Sequence, residues 1–214
     1  MKELEIGTRF GTAKAHVRSA DEPRAALVLG HGAGGGVTAP DLVAVAGVAH
    51  SAGLSVALVE QPYRVAGRRS PAPAHQLDTA WTTVIDQLRA GELRGLPLLV
   101  GGRSSGARVA CRTAEATGAV GVLCLAFPLQ TPPRSGAAPT PSRLPELDAV
   151  TVPMLVVQGS RDRFGIPPST ERRTVVQVAA DHSLRTDLGA IEQAVGAWLV
   201  GLGRSGDLQH GGAL

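Results

Sequence analysis

The chain has 214 residues, a length typical of one domain, and its 43% of hydrophobic residues are enough to fill a single core. Aromatic residues make up only 3%, so the core is predicted to be aliphatic, with small side chains that let helices pack close to a sheet. The net charge of +3 is mild and the chain has no dense Lys/Arg block, which argues against a nucleic-acid-binding surface.

Targeting and cofactor signals are weak. The first residues lack the long apolar run of a signal peptide, and no stretch approaches the ~20 apolar residues that a membrane span needs. We therefore expect a cytoplasmic protein that does not associate with membranes. The two cysteines, Cys111 and Cys124, are too few and too badly spaced for a metal site or a disulfide framework, so we expect both to pack as small hydrophobic residues. No metal or other cofactor is expected.

In chain order, the first predicted element is an N-terminal hairpin. Residues 2–19 alternate polar and apolar side chains around Gly7 and Gly11, which indicates two antiparallel strands at the edge of a sheet. Six short apolar runs follow, each bounded by Gly, Pro or charged residues, as is typical of strands buried on both faces of a parallel sheet. These runs cover residues 25–30, 54–59, 96–101, 120–126, 153–158 and 174–178.

Four apolar stripes with helical spacing lie between or after these runs. They consist of Leu42, Val45, Ala46 and Ala49; of Leu77, Ala80, Trp81, Val84, Ile85 and Leu88; of Ala107, Ala110, Cys111 and Ala114; and of Leu188, Ile191, Val195, Trp198, Leu199 and Leu202. Thr38 and Asp41 are expected to form a capping box at the first helix. The alternation of strands and helices predicts a doubly wound, mostly parallel α/β sheet with helices on both faces.

Two segments lack this periodicity. Residues 127–152 contain six prolines, and such a stretch is either a rudimentary lid or a plain surface crossover. The last residues are polar and glycine-rich. We therefore predict a single domain over residues 1–203 and a flexible tail over residues 204–214.

The strongest chemical signal is the sequence Gly102-Arg103-Ser104-Ser105-Gly106, which lies between a predicted strand and a predicted helix. A nucleophile on a sharp strand-to-helix turn needs small residues two positions to either side, because larger ones would collide with the tight packing. Without that strand and helix, the same motif would indicate no more than a glycine-rich turn. In this context it predicts Ser104 as a nucleophile, with the N-terminus of a helix beneath it.

A glycine-rich loop, His31-Gly32-Ala33-Gly34-Gly35, follows the first run of the parallel sheet. Where a nucleophilic serine lies on a strand-to-helix turn, such a loop can supply one backbone N–H of an oxyanion hole, and the residue after the nucleophile supplies the other. The two donors would be Ala33, or alternatively Gly34, and Ser105.

Nucleotide-binding interpretations of this loop are weaker. No Gly-Lys-Ser/Thr sequence ends it, so a phosphate-binding P-loop is not expected. Gly30, Gly32 and Gly35 match the glycine spacing of a dinucleotide site, but no acid is clearly placed to bind the ribose, so the fit is poor. Glu60, at the end of the next run, is the one candidate acid that keeps this alternative open.

A catalytic base and an orienting acid are expected downstream, each after a later strand. Asp162 follows the run at 153–158, and His182 follows the last run. Asp181 could replace Asp162, but adjacent side chains rarely point so that one carboxylate reaches the ring of its neighbour. Asp148 is a weaker alternative. The predicted triad is Ser104, His182 and Asp162.

Charged and small residues near these motifs are candidates for substrate binding. Arg64, Arg68 and Arg69 follow the second run of the parallel sheet, and Arg103 precedes the nucleophile. They could attract an anionic substrate, or they could be solvated loop charges together with one arginine that supports the turn. We predict Gly32, Gly34, Arg64 and Arg103 as substrate-binding residues.

These motifs together resemble the small α/β-hydrolases related to dienelactone hydrolases. Within that group, Gln61-Pro62-Tyr63-Arg64 and Gly67-Arg68-Arg69 are similar to bacterial relatives of the testis-expressed and histone-acetyltransferase-complex hydrolase-like proteins. The resemblance covers about residues 25–200 and implies an α/β-hydrolase fold with little or no lid. It implies no substrate, because the activity of that subgroup is mostly undefined. The substrate of dienelactone hydrolases proper does not carry over either, since those enzymes have a cysteine nucleophile where this chain has Ser104.

Two functions from different classes follow. One is a serine hydrolase that cleaves a small-molecule ester or related acyl substrate through an acyl-enzyme. The other is a binding or scaffold protein that keeps the fold without turnover. The intact Ser, Asp and His favour the enzyme. The substrate, the oligomeric state and a lid role for residues 127–152 do not follow from the sequence.

Overall fold

The computed structural model of the chain describes residues 1–133 and 140–205, and within those ranges it contains one eight-stranded sheet. The strands are β1 (Lys2–Thr8), β2 (Gly11–Arg18), β3 (Ala25–Gly30), β4 (Leu54–Glu60), β5 (Leu98–Arg103), β6 (Gly121–Leu125), β7 (Met154–Gly159) and β8 (Arg173–Val178). The helices are α1 (Pro40–Ser51), α2 (Pro62–Val65), α3 (Ala74–Ala90), α4 (Ser105–Thr113), α5 (Leu144–Asp148) and α6 (Leu188–Ser205).

The sheet has the strand order β1-β2-β4-β3-β5-β6-β7-β8. Strands β3 to β8 are parallel to one another, whereas β1 and β2 form an antiparallel hairpin that pairs with β4. The predicted doubly wound sheet and N-terminal hairpin are therefore confirmed. The strand order reverses at β3, so the carboxyl ends of β3 and β5 lie side by side, which is where open α/β sheets bind ligands.

Helices cover both faces of the sheet, which explains why β3, β5, β6 and β7 are apolar along almost their whole length. Helices α3 and α4 pack on one face around the fully buried Trp81. Helices α1 and α6 pack on the other face and contact each other. No helix in the described part of the chain is both long enough and apolar enough to cross a membrane.

Two local predictions are wrong. Strand β5 covers Leu98–Arg103 instead of residues 96–101, because Pro97 has no amide hydrogen for the sheet and the strand runs directly into the turn. The capping box at α1 does not form: Ala39 is the N-cap, Pro40 occupies the first turn, and no side chain caps the helix. Proline suits that position because its missing N–H would be unpaired there in any case.

The proline-rich segment 127–152 forms a crossover where it is described. Its helix α5 is tied to α4 by Glu146, which pairs with Arg108 and Arg112. Within the described ranges no inserted lid domain covers the sheet, and residues 134–139 lie outside them. Helix α6 continues through residues 204 and 205, which were assigned to the tail, and the remaining tail residues also lie outside the description.

Candidate active site

The turn between β5 and α4 holds Ser104 in a backbone conformation with φ 52° and ψ −106°. Positive φ is strained for a non-glycine residue and persists only where the surroundings enforce it. Two close backbone approaches flank Ser104 in this turn. A Cβ at Gly102 would lie 2.5 Å from the carbonyl oxygen of Gly30, and a Cβ at Gly106 would overlap the same oxygen. The glycines of the motif are therefore required by the contact between β3 and the turn.

Ser104, His182 and Asp162 form one chain of hydrogen-bonding groups. The Oγ atom of Ser104 lies 2.9 Å from Nε2 of His182, and Nδ1 of His182 lies 2.7 Å from Oδ2 of Asp162. An ionised carboxylate can only accept, so Nδ1 carries the hydrogen and Nε2 is free to accept from the Ser104 hydroxyl. This is the arrangement that a Ser-His-Asp triad needs.

Further contacts orient Asp162 and His182. The Asp162 side chain is fully buried, and it accepts hydrogen bonds from the side-chain amide of Gln158 at 2.8 Å and from the backbone amide of Phe164 at 2.9 Å. The Phe164 ring packs against the imidazole of His182, with a centroid distance of 4.3 Å. Sequence reasoning missed both Gln158 and Phe164. Gln158 could have been found from the sequence, because a glutamine inside a strand that is buried on both faces needs a polar partner.

The competing acids have other partners. Asp181 is exposed and accepts from the amide and hydroxyl of Ser183, and these hydrogen bonds lower the pKa of the Asp181 carboxyl. Asp148 pairs with Arg173 at 3.0 Å. Glu60, the acid of the dinucleotide alternative, lies 2.7 Å from Nε2 of His16. None of these three carboxylates therefore forms a hydrogen bond or ion pair with the His182 ring in the described structure.

The glycine-rich loop after β3 is held by the segment that follows β4. Nε2 of the buried His31 accepts from the backbone amide of Gln61 at 3.1 Å, so Nδ1 carries the hydrogen and donates to the Gly32 carbonyl at 2.8 Å. Burial lowers the pKa of His31, in keeping with a neutral ring. The hydroxyl of Tyr63 donates to the Ala33 carbonyl at 2.8 Å. Burial raises the pKa of Tyr63 to about 12, so the hydroxyl keeps its hydrogen at neutral pH.

The backbone amides needed for an oxyanion hole are available. The N–H groups of Ala33, Gly34 and Ser105 donate no hydrogen bond within the described part of the chain. Ser105 is the first residue of α4, where backbone amides lack a partner inside the helix and the helix dipole favours negative charge. The structure leaves both Ala33 and Gly34 as candidates for the second donor.

The four predicted substrate-binding residues lie in different surroundings. Gly34 has open space where a side chain would stand, whereas Gly32 packs against the guanidinium of Arg103. Arg64 lies on α2 and donates to the backbone carbonyl of Arg68. The guanidinium of Arg103 contacts groups of the protein itself rather than facing open solvent, and sequence reasoning missed its buried partner, Asp41. No cluster of three or more potential metal ligands occurs in residues 1–133 and 140–205.

Comparisons with known proteins identify a family for most of the chain. Residues 23–187 match the family model described as an alpha/beta hydrolase domain. A comparison with curated protein sequences gives no significant match.

Several solved structures are similar to this chain. Est1E from Butyrivibrio proteoclasticus aligns with a TM-score of 0.76 at 14% identity, over 94% of this chain and 98% of that chain. Dienelactone hydrolase from Anabaena variabilis aligns with a TM-score of 0.70 at 16% identity, over 94% and 96%. XC6422 from Xanthomonas campestris, described as an a/b serine hydrolase without lid, aligns with a TM-score of 0.68 at 19% identity, over 92% and 94%.

At these identities the structural likeness shows the fold alone, and it confirms the α/β-hydrolase fold expected from the motifs. The narrower relationship to the testis-expressed and histone-acetyltransferase-complex proteins stays a prediction. The family model covers well over half of the chain, and its range includes Ser104, Asp162 and His182. The chain therefore belongs to the alpha/beta hydrolase domain family.

Proposed function

We propose that this protein is a serine hydrolase that cleaves a carboxylic ester through Ser104, His182 and Asp162. The observation that carries the proposal is the unbroken path from Ser104 Oγ to His182 Nε2 at 2.9 Å and from His182 Nδ1 to Asp162 at 2.7 Å. These three residues come from loops after β5, β7 and β8, and their convergence on a strained turn is difficult to explain without catalysis.

The reaction follows from the roles of these atoms. The Oγ atom of Ser104 attacks the acyl carbonyl while Nε2 of His182 takes its proton, and the negative charge moves onto the carbonyl oxygen. The amide of Ser105, with that of Ala33 or Gly34, donates to this oxyanion, and one such donor is worth about 10²–10³-fold in rate. His182 then protonates the leaving alcohol, and a water that it activates hydrolyses the acyl-enzyme.

Support for an ester substrate comes from the family and from similar structures rather than from the geometry of the site. The family is one of hydrolases, and the similar structures include an esterase from Pyrobaculum calidifontis. One structure of Est1E contains bound ferulic acid, so an aromatic acyl group belongs in a substrate panel. Arg64, Arg68 and Arg69 lie on and after α2, so we propose that the panel also compare neutral with anionic acyl groups. The cytoplasmic location and the absence of a cofactor stay predictions.

A fluorophosphonate probe tests the nucleophile. We expect the folded wild-type protein to be labelled at Ser104, as identified by mass spectrometry of the labelled peptide, and we expect Ser104→Ala to remain unlabelled. Ser51→Ala, a change at an exposed serine at the end of α1, is the matched control and should label like wild type. If the folded wild type is not labelled, the non-catalytic binding function takes the place of the enzyme. Labelling that survives Ser104→Ala would refute the assignment of the nucleophile.

A second experiment distinguishes the two candidate acids, Asp162 and Asp181. Asp162→Asn removes the acceptor at Nδ1 of His182 and should lower kcat for a p-nitrophenyl ester by about 10⁴-fold, because the imidazole loses its orienting charge and its correct tautomer. Asp181→Asn changes an exposed carboxylate that contacts Ser183 and should keep kcat within a few-fold of wild type. A larger loss with Asp181→Asn than with Asp162→Asn would show that the acid is misassigned.

A panel of p-nitrophenyl esters that vary in chain length, charge and aromatic character then defines the substrate class.

A further inference from the structure

Arg103, which stands between Gly102 and the nucleophile, contacts three separate parts of the site. Its Nη2 atom donates to the backbone carbonyl of His182 at 3.0 Å. Its Nε atom lies 3.4 Å from Oδ2 of Asp41 on α1. Its Nη1 atom packs closely against the glycine-rich loop after β3, so that a Cβ at Gly32 would lie 2.9 Å from this atom. One planar side chain thus connects the nucleophile turn with the loops that hold the other reacting groups.

Asp41 explains why the guanidinium stays in this position. Its side chain is fully buried, Arg103 is its ion-pair partner within the described structure, and the backbone amides of Asp41 and Leu42 at the start of α1 also favour its charged form. Burial raises the pKa of Asp41, and the charge of Arg103 opposes this rise. A buried carboxylate favours a cation beside it, so a turn of Arg103 towards solvent would leave Asp41 without its ion-pair partner.

The geometry therefore argues against the substrate-binding role predicted for Arg103. The guanidinium side chain is only 18% exposed, and it faces Asp41, the His182 carbonyl and Gly32. A planar guanidinium can hold several fixed partners at once, which a flexible point charge cannot do as well.

We propose that Arg103 and Asp41 are a positioning pair, an inference that rests on the proposed hydrolase function. The pair holds the loop that carries His182 and the glycine-rich loop after β3 at fixed positions relative to Ser104. Neither side chain touches the substrate. The pair acts through the backbone at His182 and at Gly32. A displacement of about 1 Å at a reacting group can cost about 100-fold in rate, so the loss of the pair should act on kcat rather than on substrate affinity.

The test measures kcat and KM for Asp41→Asn, Arg103→Met and the double variant on two substrates, neutral p-nitrophenyl butyrate and anionic p-nitrophenyl hemisuccinate. We expect Arg103→Met to lower kcat by about 100-fold on both esters, with KM changed less than threefold. Arg185→Met alters an exposed arginine on the loop after His182 and is the matched control, with kinetics close to wild type. A KM that rises for the hemisuccinate alone would overturn the proposal and make Arg103 a substrate-binding residue.

Asp41→Asn keeps the test valid if Arg103→Met fails to fold, since it removes the buried charge and leaves the residue beside Ser104 intact. It should also lower kcat with KM unchanged, and the double variant should lose less than the product of the two single losses, as expected for residues that act together. Wild-type kinetics in folded Asp41→Asn would overturn the proposal.

The rate of fluorophosphonate labelling separates this proposal from the proposed function. If wild type is labelled but folded Arg103→Met is labelled just as fast, the positioning role fails while the hydrolase stands. If wild type is not labelled at all, the hydrolase fails first.

Discussion

The buried pair of Asp41 and Arg103 predicts a stability effect whose size depends on pH. Arg103→Met keeps the aliphatic stem but leaves a fully buried carboxylate without its cation. At 3.4 Å and an effective dielectric constant of about 20, the lost attraction is about 5 kcal/mol. Removing one partner of a buried pair typically costs about 3–5 kcal/mol. We therefore expect a loss of that size at pH 8, where the unpaired Asp41 carries its charge or must take up a proton.

The loss is limited at low pH, because Asp41 can then become neutral at little cost. From its ordinary pKa of 3.8, protonating the carboxyl costs about 1.6 kcal/mol at pH 5 and about 5.7 kcal/mol at pH 8. Because burial raises the pKa of Asp41 in the folded state, the stability associated with this group is greatest below pH 3.8 and falls as pH rises towards the folded pKa. The stability gap between wild type and Arg103→Met should accordingly widen by about 3 kcal/mol from pH 5 to pH 8.

Urea unfolding followed by circular dichroism at pH 5 and pH 8 measures this difference. Four proteins complete the cycle: wild type, Arg103→Met, Asp41→Asn and the double variant. Asp41→Asn should cost less than Arg103→Met at pH 8, since the guanidinium is partly exposed and can rehydrate. The double variant should lose the extra dependence on pH, because no buried carboxylate remains. A gap between wild type and Arg103→Met that is equal at the two pH values would refute the reasoning.

Three further predictions concern buried groups. Burial lowers the pKa of His31 and keeps the ring neutral, so the free energy of unfolding should fall as pH drops below 6.5. Urea unfolding at pH 7.5 and pH 5.5 should show a smaller fall for His31→Gln than for wild type, and an equal fall in the two proteins would contradict this. Gly106→Ala places a Cβ against the carbonyl oxygen at the end of β3 and should lower the free energy of unfolding by about 1–3 kcal/mol or more, measured by thermal melting. Gly47→Ala, which meets open space on α1, is the control and should cause no loss of stability in the same measurement. The thiols of Cys111 and Cys124 lie 3.4 Å apart in the core, and their mutual contact and burial raise the pKa of Cys111. DTNB should therefore react with neither thiol until the protein is unfolded, and rapid reaction of the native protein would show that the core is open.

The sheet and the order of the catalytic candidates could be predicted because they depend on local patterns. Continuous apolar runs such as residues 25–30 report strands that are covered on both faces, and helical stripes such as Leu77 to Leu88 report one buried helix face. The requirement for Gly102 and Gly106 around Ser104 is likewise visible in the sequence, since a sharp turn tolerates only small neighbours. Local signals were least reliable at element boundaries, as the missing capping box at Asp41 shows.

Within the site, the sequence placed Ser104, Asp162 and His182 in a plausible order but could not show that they meet. The distinction between Asp162 and Asp181 depends on the direction of side chains at the ends of β7 and β8, which only the folded loops determine. The fold then showed that Asp162 contacts His182 and that Asp181 faces Ser183 instead.

The sequence by itself determined the fold class, the nucleophile turn and the candidate residues, because burial periodicity and tight turns are properties of neighbouring residues. Only the tertiary structure decided what Arg103 contacts. Its partners, Asp41 and His182, are separated from it by 62 and 79 positions, and they meet only because β3, β5 and β8 end at the same edge of the sheet. An arginine that the sequence assigns either to substrate binding or to support of the turn is therefore paired inside the protein, because folding placed a buried carboxylate beside it.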